Sequence, residues 1–384
     1  MPYDHLLNQS RRPSPQAYFC GGGSYQKGKE TIFGSPMVLL HAVERARLRV
    51  NATRHKPLAI DARFYFSDTN RLHIAALREE IKKSPFSSWL DDTVSLRVGD
   101  FETLLPSILK DIRNRQRQGR SFFVLDQWGY LNVPVQSLRA IFSNLEKPEA
   151  LLTFSIDALL NYIRNDGTGI DKLRQFGVSE EFAGMWTELK DDDNLGRATA
   201  QRLIMEELRI GSGAEFFTPF MMFSKTDSRW MLFAHLSKHQ TARDKMLEVH
   251  WRKQNHFRHI GKGSLFEMGF DYRLIESRDA LFSFQESDEE LLMKELENEL
   301  PTILRDSIRD SACSMSNLLN GIGNRTAARN SMIFETIRKI ARAGDIEVIG
   351  ENGKVKGRGT LIKPSDMLVR PPQKSFSFHF PQAS

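Results

Sequence analysis

Cysteine is nearly missing from this chain: Cys20 and Cys313 are the only two in 384 residues. Their separation leaves no disulfide framework and argues against a cysteine-based metal site. Long apolar runs are missing too, since none approaches the ~18–20 residues that cross a bilayer. The opening stretch, MPYDHLLNQSRRPSP, has no apolar core like that of a secretion signal, so cytoplasmic residence is the expectation. Internal repeats and long low-complexity segments are also lacking. What is left is an ordinary globular composition, 40% hydrophobic and 27% charged. The length suffices for a sizeable core and two domains.

Acidic residues are scarce at both ends. Residues 1–57 hold nine Lys/Arg against Asp4, Glu30 and Glu44, and residues 321–384 hold eleven against five acids. The overall formal charge is +6. Local excess of this kind attracts phosphate backbones, and it equally describes a soluble basic surface.

The most informative run is Phe19-Cys20-Gly21-Gly22-Gly23-Ser24-Tyr25, followed by Gly34-Ser35-Pro36 and the apolar MVLLHAV. A strand running into glycines and then a helix start brings backbone N–H groups close to a nucleotide-like ligand. The next ~200 residues alternate apolar runs with helix-like segments, which predicts parallel βαβ units. The expected strands are Ala17–Cys20, RFYFSD ending at Asp68, VSLRVGD at 94–100, SFFVLD at 121–126 and ALLTFSI at 150–156. Helices are expected at about Pro36–Val50, Asn70–Lys83, Phe101–Arg115, through VQSLRAIFSNL and at Arg197–Leu208. Residues 165–196, polar and in places acidic, read as an insertion. FFTPFMMFS and RWMLFAHLS flank a Lys225-Thr226-Asp227-Ser228 turn and read as antiparallel. Five parallel strands and a reversed hairpin give an α/β fold of the doubly wound, Rossmann-like methyltransferase type.

Residues 253–288 read as a connecting segment. A helix from Glu289 to Ile308 follows, with Pro301 as a kink or break. Shorter helices at Met315–Leu319 and Thr326–Ala343, a cap at Gly344 and a hairpin around Glu351-Asn352-Gly353 describe a winged helix over 289–384. The sheet domain would then cover 1–252.

Pockets in open α/β sheets lie beyond the carboxyl ends of the strands. The glycines Gly21, Gly22 and Gly23 fall there, as do Asp68, Asp100 and Asp126. Asp68 is placed to bind a ribose diol and Asp100 an adenine amino group, with Phe101 against the ring. Each aspartate is equally well suited to capping a helix. Asp126 is the candidate catalytic carboxylate, with Trp128 and Tyr130 to stack on a flat substrate; the same three residues also read as a cap followed by core aromatics. His235 and His239 are four apart, with His250 beyond, a spacing that binds zinc on a helix, but His235 falls in a predicted strand and no HExxH pattern is present. Arg325, Arg329, Lys354, Lys356 and Arg358 are the candidate phosphate contacts of the recognition helix and wing; a winged helix used for protein docking is the alternative.

The series FCGGGSYQKG…GSPMVLLHA, FYFSD, VGDF, FFVLDQWGYLNVP and HLSKHQTARDKMLEVHW resembles the three-Cys-motif partner family of bacteria and their viruses. The segment from Ser314 to Arg370 is similar to that family's C-terminal part. The resemblance implies a Rossmann-type domain like that of S-adenosylmethionine enzymes, a small winged-helix-like end, and a neighbouring gene product that carries three cysteines. The family's glycine motif usually reads Phe-Ala-Gly-Pro-Gly after an aspartate, where this chain has Tyr18-Phe19-Cys20-Gly21-Gly22-Gly23.

Two functions are therefore expected. The first is an S-adenosylmethionine-dependent methyltransferase-like protein acting on or near nucleic acid. The second is a catalytically degenerate nucleic-acid-binding subunit of an anti-phage or mobile-element system.

Overall fold

A computed structural model gives the fold. It describes residues 15–20, 24–27, 30–115, 119–126, 132–155, 166–191, 196–224, 229–253, 259–260, 281–282, 286–308, 311–357 and 359–372. The chain forms two compact units. One comprises Met1–Lys262 and Met268–Phe284, the other Gly263–Glu267 and Gln285–Ser384.

The first unit opens with β1 (Pro15–Cys20). A hairpin of β2 (Ser24–Lys27) and β3 (Glu30–Phe33) comes next, and only then α1 (Ser35–Ala52). The glycine run thus leads into a hairpin, where the sequence suggested a helix start. Helix α1 begins 15 residues beyond β1, with Gly34 at its N-cap and Pro36 in its first turn. Proline there loses no hydrogen bond, because the first N–H groups of a helix have no partner inside it.

The unit continues with β4 (Arg63–Asp68), α2 (Arg71–Lys82), β5 (Val94–Val98), α3 (Phe101–Arg115), β6 (Arg120–Asp126), α4 (Val135–Asn144) and β7 (Lys147–Phe154). After these come α5 (Gly167–Phe176), α6 (Glu180–Asp191), α7 (Gly196–Ser212), β8 (Phe216–Ser224), β9 (Arg229–Ser237) and α8 (Gln240–Lys253). Seven strands form one sheet in the order β5-β4-β1-β6-β7-β9-β8. The first five are parallel, and β9 runs antiparallel to both of its neighbours, β7 and β8. This is the strand plan of methyltransferase-type Rossmann sheets, with the reversed hairpin at one edge. Pro219 lies in β8, the edge strand, where a missing N–H costs no ladder bond on the open side.

Alternation along the strands sorts the two faces. Phe64 and Phe66 of β4 pack with Leu40 and Val43 of α1 and Leu77 and Ile81 of α2. Tyr65, between them, joins Leu105 and Ile108 of α3 and Leu138 and Ile141 of α4 on the other face. Four consecutive buried residues in β4 are what a central parallel strand covered on both sides requires.

The polar stretch read as an insertion is part of this core. Helices α5 and α6 bring Leu173, Phe176, Phe182 and Trp186 against Phe154 and Leu208. Trp186 and Leu173 are fully buried. Asp171, Glu180 and Glu181 are exposed on helices whose other sides are buried, so overall polarity hid a helical period. Within the stretch read as connecting, β10 (His259–Ile260) and β11 (Leu281–Phe282) form a short antiparallel ladder.

The second unit runs α9 (Glu286–Ser307), β12 (Cys313–Ser314), α10 (Met315–Gly323), α11 (Asn330–Ala343), β13 (Glu347–Ile349) and β14 (Met367–Val369). The small sheet has the order β12-β14-β13. A first helix, a short strand, two helices and a two-stranded wing are the parts of a winged helix. Helix α9 continues through Pro301 without a break and buries Leu292, Leu296, Leu300 and Leu304 at intervals of four. Gly344 ends α11 with φ +90°, a left-handed cap that glycine adopts without strain. The turn at Glu351-Asn352-Gly353 is present, with the Gly353 N–H donating to Gly350 O at 2.9 Å. Its hairpin differs from the expected one. Val355 forms one bridge to Ile349, and the partner strand is Met367–Val369.

Candidate functional site

The carboxyl end of β1 lies between β4 and β6, where the strand order reverses. Ligands of open α/β sheets bind at such a switch point. Asp68 closes β4 on one side and Asp126 closes β6 on the other. Asp68 follows Phe64 and Phe66, and Asp126 follows Val124, in the period of two, so both carboxylates belong to the α1/α2 face. Asp100 lies one strand further out, after β5. Gly21, Gly22 and Gly23 lie outside the described residues, as do Trp128 and Tyr130.

Each aspartate has local partners. Asp68 accepts the Asn70 N–H on Oδ1 at 2.7 Å, and its Oδ2 lies 3.0 Å from His73 Nδ1. Asp126 Oδ1 accepts the Thr153 hydroxyl at 2.6 Å. Asp100 Oδ1 accepts the Thr103 N–H at 2.8 Å, the bond of an N-cap for α3. The capping reading of Asp100 is thereby realised, on an exposed carboxylate. Gly99 has φ +152°, and a Cβ there would meet Leu104 Cγ at 3.2 Å. Its N–H donates to Asp68 O at 3.0 Å, which ties the ends of β4 and β5 together.

Phe101 corrects the sequence reading. It is 6% exposed and packs with Leu105 and Ile108, so its ring is a core side chain and not an open stacking platform. Two apolar side chains outside the expected site residues stand open near Asp68. Val98, the register partner of Asp68, is 43% exposed, and Leu72 in the first turn of α2 is 76% exposed. Their signal was available in the sequence as a strand-end valine and an N-terminal helix leucine outside the buried stripe of α2, Ile74, Leu77 and Ile81.

The Thr103 N–H holds the Asp100 carboxyl below the usual carboxylate range. A lowered folded value means that this stabilisation is complete above the unfolded value, near 3.8, and disappears as pH falls through the folded one. Asp100→Ala is expected to cost about 1 kcal/mol at pH 7, as loss of a cap does. The difference from the native protein should shrink in urea unfolding near pH 3, where the native cap is itself being protonated.

The histidines separate. His235 is fully buried in β9, its Nε2 3.3 Å from Glu149 Oε2. His239 Nδ1 accepts the Thr241 N–H at 3.1 Å as α8 begins. His250 stacks on Phe220 with ring centroids 3.6 Å apart. Among the described residues no group of three or more His, Cys, Asp and Glu is assembled to hold a metal, and no described helix is long and apolar enough to cross a membrane.

In the winged helix, α11 buries Met332, Ile333, Thr336, Ile337 and Ile340. Its opposite side carries Ser331, Glu335, Arg338 and Arg342, two of them arginines four apart. Sequence reasoning had not singled out Arg338 or Arg342, although the helical period puts them opposite the buried stripe. Two of the expected phosphate contacts are instead engaged within the fold. Lys356 Nζ lies 2.6 Å from Asp366 Oδ2 and donates to Leu361 O at 2.7 Å, so it closes the wing from inside. Arg329, at the N-cap of α11, donates to Glu289 of α9. Lys339 is similarly paired with Glu297 at 2.6 Å. Arg325 and Lys354 are exposed, and Arg358 lies outside the described residues.

Comparison with known proteins agrees with the second unit. Residues 269–353 match the family model of the GMT-like wHTH domain. No curated protein sequence matches the chain. Solved structures similar to it include a spermidine synthase in complex with the transition-state analogue AdoDATO, at 10% identity and TM-score 0.31, covering 62% of this chain and 56% of that one. Spermidine synthase from Thermotoga maritima is similar at 11% identity and TM-score 0.28, covering 62% and 60%. A possible exported protein from Bordetella parapertussis is similar at 10% identity and TM-score 0.27, covering 62% and 65%. The chain thus spans less than two thirds of the length of each.

Proposed function

We propose that the chain is an S-adenosylmethionine-dependent methyltransferase-like protein that acts on or near nucleic acid in the cytoplasm. The observation that carries this reading is the placement of Asp68 and Asp126 on the two sides of the β1 switch point, with Asp100 one strand beyond. The donor set suits an adenosyl group. Asp68 offers acceptor oxygens for ribose hydroxyls, and Val98 and Leu72 offer exposed apolar surface for a purine. Gly21, Gly22 and Gly23 would let the backbone approach the ligand. The bound cofactor would supply a methyl group activated by its sulfonium. The chain's own work is positioning. Asp126, held by Thr153, orients an amino hydrogen of the target, and Trp128 and Tyr130 supply stacking rings. The winged helix holds nucleic acid through Arg325, Arg338, Arg342 and Lys354. The motif resemblance supports a protein partner with three cysteines and a role in a bacterial defence or mobile-element system.

Calorimetry with S-adenosylmethionine tests the reading. Heat with a fitted Kd is expected, and Asp68→Ala should weaken it by roughly 10- to 100-fold, as loss of a charged hydrogen-bond acceptor does. Folded protein that gives no heat at about 1 mM ligand would remove the enzymatic reading. The β2–β3 hairpin between the glycines and α1 favours the second reading, a degenerate nucleic-acid-binding subunit, because it separates the glycine run from helix N–H donors. That reading expects duplex DNA binding and no cofactor heat.

A further inference from the structure

We infer that the loop between β13 and β14 is a minor-groove wedge: Val355 and Leu361 enter the groove of a DNA duplex, and Lys354 and Lys363 meet the phosphates beside it. The inference rests on the nucleic-acid part of the proposed function and adds the groove and an apolar contact.

The loop turns apolar side chains outward. Among the described residues of the winged-helix unit, the large apolar side chains that stand exposed are Leu291, Val355 and Leu361, and two of these three lie on this one loop. Val355 is 56% exposed and Leu361 67%, while Ile362, the next residue, is 4% exposed. The local core is therefore filled by Ile362, and Leu361 is left in water.

The second observation is that the backbone holds both side chains out. Lys356 Nζ reaches inward to Asp366 Oδ2 at 2.6 Å and to Leu361 O at 2.7 Å. The Lys356 N–H donates to Val348 O at 2.7 Å, and the Thr360 N–H to Gly357 O at 3.0 Å. One lysine thus pins both arms of the loop, directly after Val355 on one and at the Leu361 carbonyl on the other. Side chains presented by bonded backbone lose less freedom on binding than those on a loose loop.

Charge and size select the partner. From Asn352 to Ser365 the sequence holds Lys354, Lys356, Arg358 and Lys363 and no carboxylate. Lys356 is engaged with the buried Asp366. Lys354 stands one residue before Val355 and Lys363 two after Leu361, both exposed. Each arm therefore offers water a cation beside an aliphatic side chain. Two aliphatic side chains fall far short of the ~1,000 Å² of a specific protein interface. They suffice for a minor-groove contact, in which apolar wedges enter between base steps and cations lie beside them. That groove, about 6 Å wide, is too narrow for a helix and takes a loop.

The experiment uses the full chain and end-labelled DNA duplexes of about 20 base pairs, read by anisotropy from about 50 to about 300 mM NaCl and by energy transfer between the ends. Val355→Ser/Leu361→Ser should weaken binding by roughly 5- to 50-fold, the range for two aliphatic side chains that no longer leave water. Its slope of log Kobs against log salt should stay native, since no phosphate contact is lost. Lys354→Gln/Lys363→Gln should lower that slope by roughly 1.8, at ~0.9 for each phosphate. The native protein should bring the labelled ends closer, through a kink of about 20–90°, and the serine variant should not. Inosine in place of guanine at the central pairs removes a minor-groove amino group and leaves the major-groove pattern unchanged. It should tighten binding of the native protein and not of the serine variant. Both variants should keep the native Tm, because all four side chains are exposed. If the serine variant binds and bends DNA as the native protein does, while the lysine variant lowers the slope, this inference is overturned and the winged-helix reading stands. If the native protein binds no DNA at about 50 mM salt, the nucleic-acid reading fails and the wedge with it.

Discussion

Lys356→Ala is expected to destabilise the winged-helix unit by roughly 3–5 kcal/mol, because removing one partner of a buried pair leaves the other charge uncompensated. Asp366 is 1% exposed and the Lys356 side chain 15%. The remaining carboxylate would keep only the Lys363 N–H, which donates to it at 2.6 Å. The wing is closed by this contact, since Lys356 also ties Leu361 O and the Asp366 carbonyl accepts the Met315 N–H at 2.8 Å. Hydrogen exchange over 350–366 in the full chain should show faster opening of that segment. The neighbouring lysine separates structure from DNA binding. Lys354 is exposed on the turn, and Lys354→Ala should leave stability within about 0.5 kcal/mol of native. In DNA titrations Lys354→Ala should reduce the salt slope by about 0.9, the value for a single neutralised phosphate. A Lys356→Ala protein as stable as the native one would show that the pair contributes no more than an exposed pair does.

Trp186→Ala is expected to cost about 3–5 kcal/mol of stability in the sheet unit, the range for emptying a large aromatic site in a closed core. Trp186 is fully buried beside Phe182, with ring centroids 5.9 Å apart. Chemical unfolding followed by circular dichroism measures the change. A cost below about 1 kcal/mol would mean that the α5–α6 segment is an ornament on the sheet, as its polarity suggested, because surface changes seldom exceed that. Deleting 167–191 should likewise leave an aggregating protein, since Phe154, Leu208 and their neighbours would lose their cover.

The parallel strands were legible because a strand buried on both faces reads as a continuous apolar run. RFYFSD and SFFVLD stand out against their surroundings, and each ends in an aspartate that marks the carboxyl edge. Helix α3 was legible from end to end, since Asp100 supplies a cap and Arg113 and Arg115 lie in its last turn. The β2–β3 hairpin was not. Its strands are four residues each and carry no alternation long enough to separate from a loop. Helices α5 and α6 were missed because their acids outweigh their buried stripe in composition, though not in period. For the candidate site, sequence placed Asp68, Asp100 and Asp126 at strand ends. It misjudged Phe101, because whether an aromatic faces a ligand or the core depends on the helix opposite it.

By itself, the sequence determined the run of parallel strands and the placement of carboxylates at their ends, since both follow from local periodicity and caps. Only the tertiary structure decided which charges are open. Lys356 and Lys354 are two residues apart and chemically alike, yet one is closed over Asp366 and the other faces water. That difference depends on a carboxylate ten residues away in the chain, brought close by β14, and pairing across such a loop leaves no period in the sequence.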